Sequence, residues 1–285
     1  MTVRVLAALT LITTTSCSAQ AVLTQQEDAR RLASELQAQF SAAADASNRA
    51  VMTDADEDST AAVREAEQAT QDVLRSVDRM RQVLTLMGYS EEITLLDAFI
   101  ARFAEYRKVD AEILPLAVEN TNAKAQRLSF GPAATAVNDF RTALDALVTS
   151  APAGAAPRLE LLAARAVADV LDIQAMHAPH IAEPEDEAMA RMEQRMAASE
   201  QQARRALGQM EAIVPASQPQ LKAAGAALDR FSAIHREIIT LSRRNSDVRS
   251  LALSLGRKRM IVAQCDDQLR ALQAALARHT VGPTR

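Results

Sequence analysis

The sequence predicts an all-α protein of two tandem antiparallel four-helix bundles, and three observations carry that prediction. The first is compositional. Hydrophobic residues make up 48% of the 285, with seven Gly, two Tyr and no Trp, chemistry that suits helices packed through Ala and Leu rather than sheets. The second is an internal repeat. Residues 112–147, EILPLAVENTNAKAQRLSFGPAATAVNDFRTALDAL, recur 125 residues later at 237–272 as EIITLSRRNSDVRSLALSLGRKRMIVAQCDDQLRAL, with eleven of 36 positions identical and no gap. Asn120 matches Asn245, Leu128 matches Leu253, Ser129 matches Ser254 and Gly131 matches Gly256. Thr121 and Ser246, Asn122 and Asp247, and Lys124 and Arg249 keep their chemistry. An Ala-rich chain inflates chance matches, but Asn, Ser and Gly at fixed offsets are harder to obtain from composition. The third observation is the stretch 151–157, APAGAAP, whose two prolines and glycine do not favour a continuing helix. It is read as a linker between bundles at 22–150 and 158–285.

Residues 1–21 read as an export signal: Arg4, an apolar core from Val5 to Ile12, then small and polar residues up to Ala19 or Ala21. This eight-residue core is too short to span a bilayer, which takes about 20 apolar residues. The mature chain is expected in the periplasm or outside the cell, with Cys265 as its one thiol. A second reading makes Cys17, after Ser16, a lipid-attachment site, although Thr14 stands where such sites carry a branched apolar residue.

The remaining elements follow from spacing and punctuation. Leu32, Leu36 and Phe40 set a first helix over about 24–51. The acidic run Asp54 to Asp58 with Ser59 suits the start of a second, since exposed N–H groups favour negative charge, and Gly88 ends it. A long third helix, about 90–130, has the seam Phe99, Phe103, Tyr106, Asp110, Ile113, Ala117, Asn120 and Lys124, with steps of three and four. Pro115 predicts a kink within it, and Gly131-Pro132 predicts a turn into a fourth helix carrying Val137, Phe140, Leu144 and Leu147. After the linker the order repeats: a helix over 158–178, the acidic break Glu183 to Glu187, a helix to about Val214, and a turn at 215–219. A long helix over 220–255, a turn at Gly256 and a last helix to His279 follow.

The polar seam residues are the first candidate site. Asn120, Lys124, Asn245 and Arg249, with Asp110 and its repeat counterpart His235, form polar layers in apolar seams. A cation there could pair with the carboxylate of a small anionic ligand, while Asn orients it. A register role for the asparagines is the competing reading. The second candidate is Arg257-Lys258-Arg259, three cations at a helix start, where they oppose the dipole unless an anion or acidic partner is near. Met176, His177, His180 and the following methionines invite a metal reading, but Pro179 between the histidines and ordinary core spacing of the methionines argue against it. No metal or cofactor is assigned. A net charge of −4 gives no basis for nucleic-acid binding. No phosphate loop, His-Glu-x-x-His, cysteine pair or nucleophile elbow occurs, so the chain reads as non-enzymatic.

Phe103-x-x-Tyr106, Leu116-Ala117-x-x-Asn120 and Lys124-Ala125-x-x-Leu128, echoed by Phe231, Leu241, Asn245, Arg249 and Leu253, give each half a pattern that resembles the four-helix-bundle ligand-binding domains of bacterial chemotaxis receptors. The resemblance implies a bundle that senses small ligands outside the cytoplasm, often as a homodimer. Because no membrane-spanning helix or signalling module is expected after the bundles, sensing would pass to a separate membrane-bound transducer. A scaffold without a small-molecule ligand is the alternative.

Overall fold

A computed structural model describes residues 13–214 and 219–279, with side chains from residue 24 onward. The first twelve residues of the expected export signal and most of the turn at 215–219 lie outside these. The described residues hold helices and no strand: α1 Thr13–Met52, α2 Asp56–Met87, α3 Ser90–Glu119, α4 Thr121–Leu128, α5 Ala134–Thr149, α6 Ala156–Ala182, α7 Asp186–Glu211, α8 Pro219–Arg244, α9 Ser246–Leu253 and α10 Arg259–Arg278. The acidic first turn of α2 (Asp56, Glu57, Asp58) meets the helix dipole as expected, and Gly88 ends α2 at φ 69°.

The long-helix expectation fails at two matched places. Asn120 and Asn245 have φ of 46° and 52°, so the helices expected over 90–130 and 220–255 stop there, eleven residues before the glycines. A left-handed residue terminates a helix, and Asn tolerates that conformation better than other residues with a Cβ. At Gly131 and Gly256 the chain does not turn. It continues through five-residue π-helical segments, Ser129–Ala133 and Ser254–Lys258, into α5 and α10. A π-turn widens the backbone by one residue, which relieves the crowding that Pro132 would impose on a regular helix. Gly256 makes the same bulge without a proline.

Two compact units result, and they do not divide at residues 151–157. One comprises residues up to Val118 together with Ser250 onward, and the other Glu119–Arg249. The stretch 151–157 is a turn between α5 and α6 inside the second unit. Each unit is a four-helix bundle that takes three helices from one half of the sequence and its fourth from the other half.

The first unit packs Leu36 and Phe40 of α1, Val77, Met80 and Leu84 of α2, Phe99, Phe103 and Tyr106 of α3, and Cys265, Leu269 and Leu272 of α10. Phe40 is the hub of its aromatic cluster, edge-on to Phe99, Phe103 and Tyr106 at 5.5 to 6.0 Å. The second unit packs Phe140 and Leu144 of α5, Leu159, Val170 and Ile173 of α6, Met196 and Met210 of α7, and Leu228, Phe231 and Ile238 of α8.

Candidate functional site

The repeat Asn-(Thr/Ser)-(Asn/Asp) has a structural explanation. A helix beginning just after a left-handed residue leaves its first N–H groups without partners in its own backbone. Here α4 and α9 cap each other. Thr121 N donates to Ser246 Oγ at 3.1 Å, and Ser246 N donates to Thr121 Oγ1 at 3.0 Å. Ala123 N donates to Asp247 Oδ2 at 3.0 Å, and Asp247 N to Asn122 Oδ1 at 3.2 Å. The amide of Asn122 also donates to Asn245 Oδ1 at 2.7 Å and to Ile181 O, while that of Asn245 donates to Glu183 O at 2.9 Å. The bonding capacity that the sequence offered to a ligand is thus largely engaged within the protein. Lys124 Nζ donates to the carbonyl of Glu119 at 2.8 Å, and Arg249 is exposed. The Arg244 guanidinium hydrogen-bonded to Glu119 holds that carboxyl below its usual range, with Arg249 and Lys124 adding to the effect.

Asp110 and His235, equivalent in the repeat, do not join that cluster. Each sits in a buried polar layer of its own bundle. In the first unit, Ser47 donates to Asp110 and accepts from Lys258, whose Nζ lies 3.1 Å from Asp110 Oδ1. Lys258 is 1% exposed. This corrects the surface-docking reading of Arg257-Lys258-Arg259: the middle cation is a core residue neutralised by Asp110. Burial lowers its pKa and the carboxylate opposes that shift. Its Nζ also lies 5.6 Å from the centroid of the Tyr106 ring. Burial, then the Asp110 charge, raise the Tyr106 phenol well above its ordinary value, and its buried hydroxyl, beside Asp110 and Ser47, meets no partner in good hydrogen-bond geometry among the described residues. Arg257 and Arg259 remain at the surface, Arg257 at 3.9 Å from Glu112.

In the second unit the same depth is held by histidines. Ser129 Oγ lies 3.1 Å from His177 Nδ1, and His177 Nε2 lies 3.0 Å from His235 Nδ1. The two imidazoles and Phe231 stack, with 5.3 Å between the imidazole centroids and 6.3 Å between Phe231 and His235. Burial pushes His177 down to about 4, helped by the neighbouring His235 and His180, and burial likewise lowers His235. Where Lys258 stands in the first unit, the second has buried Ala133, which brings no cation to this layer. One turn further along α6, His180 bonds Ser242 Oγ at 2.7 Å and Glu193 Oε1 at 2.9 Å, and Arg243 clamps Glu193 through Nε at 2.6 Å and Nη2 at 2.9 Å. Sequence reading singled out His235 but missed its partner His177 as part of a layer. Among the described residues no group of three or more His, Cys, Asp or Glu side chains converges to hold a metal.

Two surface grooves of the first unit adjoin its polar layer. One, of about 480 Å³, lies between α2 and α3 and is lined by Arg64, Gln68, Gln71 and Arg107, with Asp110 reaching its wall. The other, of about 370 Å³, lies between the end of α1 and the α9–α10 stretch; Val51, Met52, Leu251, Leu255 and Val262 line it, with Lys258 and Arg259.

No family model matches this chain, and no curated protein sequence does. Among solved structures, a chain of the crystal structure of the TorS sensor domain–TorT complex in the presence of TMAO matches with a TM-score of 0.52 and 10% identity, over 87% of this chain and 99% of that one. The protein therefore shares the fold of a helical sensor domain. No helix among the described residues is long and apolar enough to cross a membrane.

Proposed function

We propose that this chain is an exported, non-enzymatic sensor-like module that works by binding a protein partner outside the cytoplasm. The observation that supports this most is the shared fold over 99% of a chain from a sensor domain–protein complex. The buried polar layers agree with it: their titratable side chains are largely hydrogen-bonded to one another and enclosed, which suits bundle packing and not turnover. A partner would act by favouring one packing of the helices over another, as any ligand with different affinities for two states does. The sensed change would then pass to a membrane-bound transducer.

The test is isolation of the tagged, full-length protein from its native envelope after cleavable crosslinking, followed by a binding measurement with the purified candidate. Saturable binding by one extracytoplasmic protein is the expected result. No saturable partner in either step would refute the reading.

The α2–α3 groove supports a second reading, a small anion as the sensed species. Arg64 and Arg107 line it with Gln68 and Gln71, beside the carboxylates of Glu67 and Asp110, and the two guanidiniums suit a carboxylate ligand. Thermal stabilisation by a panel of small carboxylates, lost in Arg64→Ala and Arg107→Ala, would support this reading; a flat panel would exclude it.

A further inference from the structure

The groove between the end of α1 and the stretch 251–262 has a composition that its own bundle does not require. A four-helix bundle buries its apolar seam and presents polar side chains to water. Met52 is 72% exposed, Leu255 63%, Met260 64% and Leu251 37%. Three of these line the groove, and Met260 follows its Arg259. Contiguous exposed apolar side chains with a polar rim mark interaction surfaces, whereas scattered ones do not.

The π-helical segment has a direct part in this. A π-turn places one extra residue in the helix, and Leu255 lies within this segment. Its repeat counterpart, Phe130 in the other π-segment, is also exposed, at 72%. Two copies of the bulge thus each hold a large apolar side chain toward solvent, beside the buried Ser129 and Lys258 layers. Apolar exposure at the same point of both repeats is not a packing requirement of either bundle.

Charge selects the occupant. Among the described residues no carboxylate lines the groove, while Arg259 does, and Lys258 at its floor is already paired with Asp110. The Leu251-to-Val262 wall rises roughly 16 Å, about three turns of a docked helix at 1.5 Å per residue. An amphipathic helix laid in such a groove contacts it through side chains at i, i+3, i+4 and i+7, and methionine and leucine walls adapt to such anchors.

We infer that this groove of the first unit docks an acidic amphipathic helix of the partner protein, with leucine or methionine anchors against Met52, Leu251 and Leu255 and a carboxylate against Arg259. The inference rests on the partner-binding reading above and names the site and chemistry of that partner.

Two synthetic helical peptides test it on the full-length protein. They share a leucine–methionine seam and differ in carrying only Glu or only Lys on the polar face. Fluorescence anisotropy should show the Glu peptide binding the wild-type protein, about tenfold or more weaker binding to Arg259→Glu and Leu255→Asp, and a preference of Arg259→Glu for the Lys peptide. Circular dichroism checks that both variants fold, and Leu86→Asp, a change at an exposed position outside the groove, should leave binding intact. Failure of the Glu peptide to bind, equal binding by both peptides, or indifference to both groove variants would overturn the inference. So would a concentration-dependent wild-type dimer abolished by Leu255→Asp, which would give the groove to a second copy. If a native partner binds Leu255→Asp as tightly as wild type, the groove is wrong while partner binding stands; if no partner exists, both fall.

Discussion

Lowering the pH should destabilise the second bundle and leave the first largely untouched, and His177 sets the size of the effect. Its imidazole is fully buried against Ser129 and His235, which lowers its pKa from 6.5 to about 4 in the folded chain. The unfolded chain therefore binds the extra proton first as pH falls. Stability is full above about pH 6.5, declines through the window down to about 4, and is flat below it. A gap of that size corresponds to about 3 kcal/mol at pH 4 for this one group. His235, also lowered by burial, adds in the same direction, with the Glu200 charge opposing and His180 and Arg236 reinforcing. A loss of this order is a large part of the stability of a bundle of this size.

Circular dichroism and tyrosine emission separate the two units, because both tyrosines, Tyr89 and Tyr106, lie in the first and the chain has no Trp. Urea titrations at pH 7, 5 and 4 should show the helical signal melting earlier at low pH while the tyrosine transition moves little. His177→Gln should be less stable at pH 7 but should lose most of the pH slope. An unchanged slope in His177→Gln, or a tyrosine transition moving in step with the helical one, would refute the assignment of this titration to the second unit.

Breaking the buried pair by Lys258→Met should cost about 3–5 kcal/mol in urea unfolding followed by tyrosine emission, since Asp110 is left charged and enclosed, whereas Lys258→Met with Asp110→Asn should recover most of the loss. Asn245→Gly should be about 1 kcal/mol more stable than Asn245→Ala in the same measurement by circular dichroism, because both lose the side-chain bonds but only alanine pays for the left-handed backbone. Cys265, buried, with its thiol pushed up to about 12, should resist a thiol reagent at pH 8 at the rate set by unfolding of the first unit. If the export signal is cleaved as proposed, intact-mass analysis of the protein from its native host should find a chain starting after Ala19 or Ala21; a lipid-modified Cys17 would establish the anchored form instead.

Much of the helical content was legible because three- and four-residue spacing survives in a single sequence. Phe99, Phe103 and Tyr106 are buried where their seam put them. Which fourth helix joins which bundle was not legible. The two halves carry similar seams, so α5 and α10 are alternative partners for α1, and sequence pattern alone does not rank them. What decides is where the long helices stop, and the stop is a left-handed Asn, while Gly131 and Gly256, the stronger turn signals, stay helical. The polar layers were half visible. Lys258 lies seven residues before Cys265 and eleven before Leu269, in line with the buried seam of α10 that follows it, a spacing that already argued against a surface role. Its partner Asp110 is 148 residues away, and only the exchange of helices brings them together. His177 and His235 meet through an α6–α8 contact that no local pattern announces.

The exchange of fourth helices carries the polar layer and the proposed docking groove alike, and one crosslink tests it. Gln37 of α1 donates to Asp266 of α10 at 2.9 Å. In a Cys265→Ser background, Gln37→Cys with Asp266→Cys should oxidise rapidly to an intramolecular disulfide closing a large loop, seen as a mobility shift without reductant. Rapid pairing of Gln37→Cys instead with Arg141→Cys, the counterpart of Asp266 in α5, and none with Asp266→Cys, would mean that each half closes its own bundle, and would contradict the account.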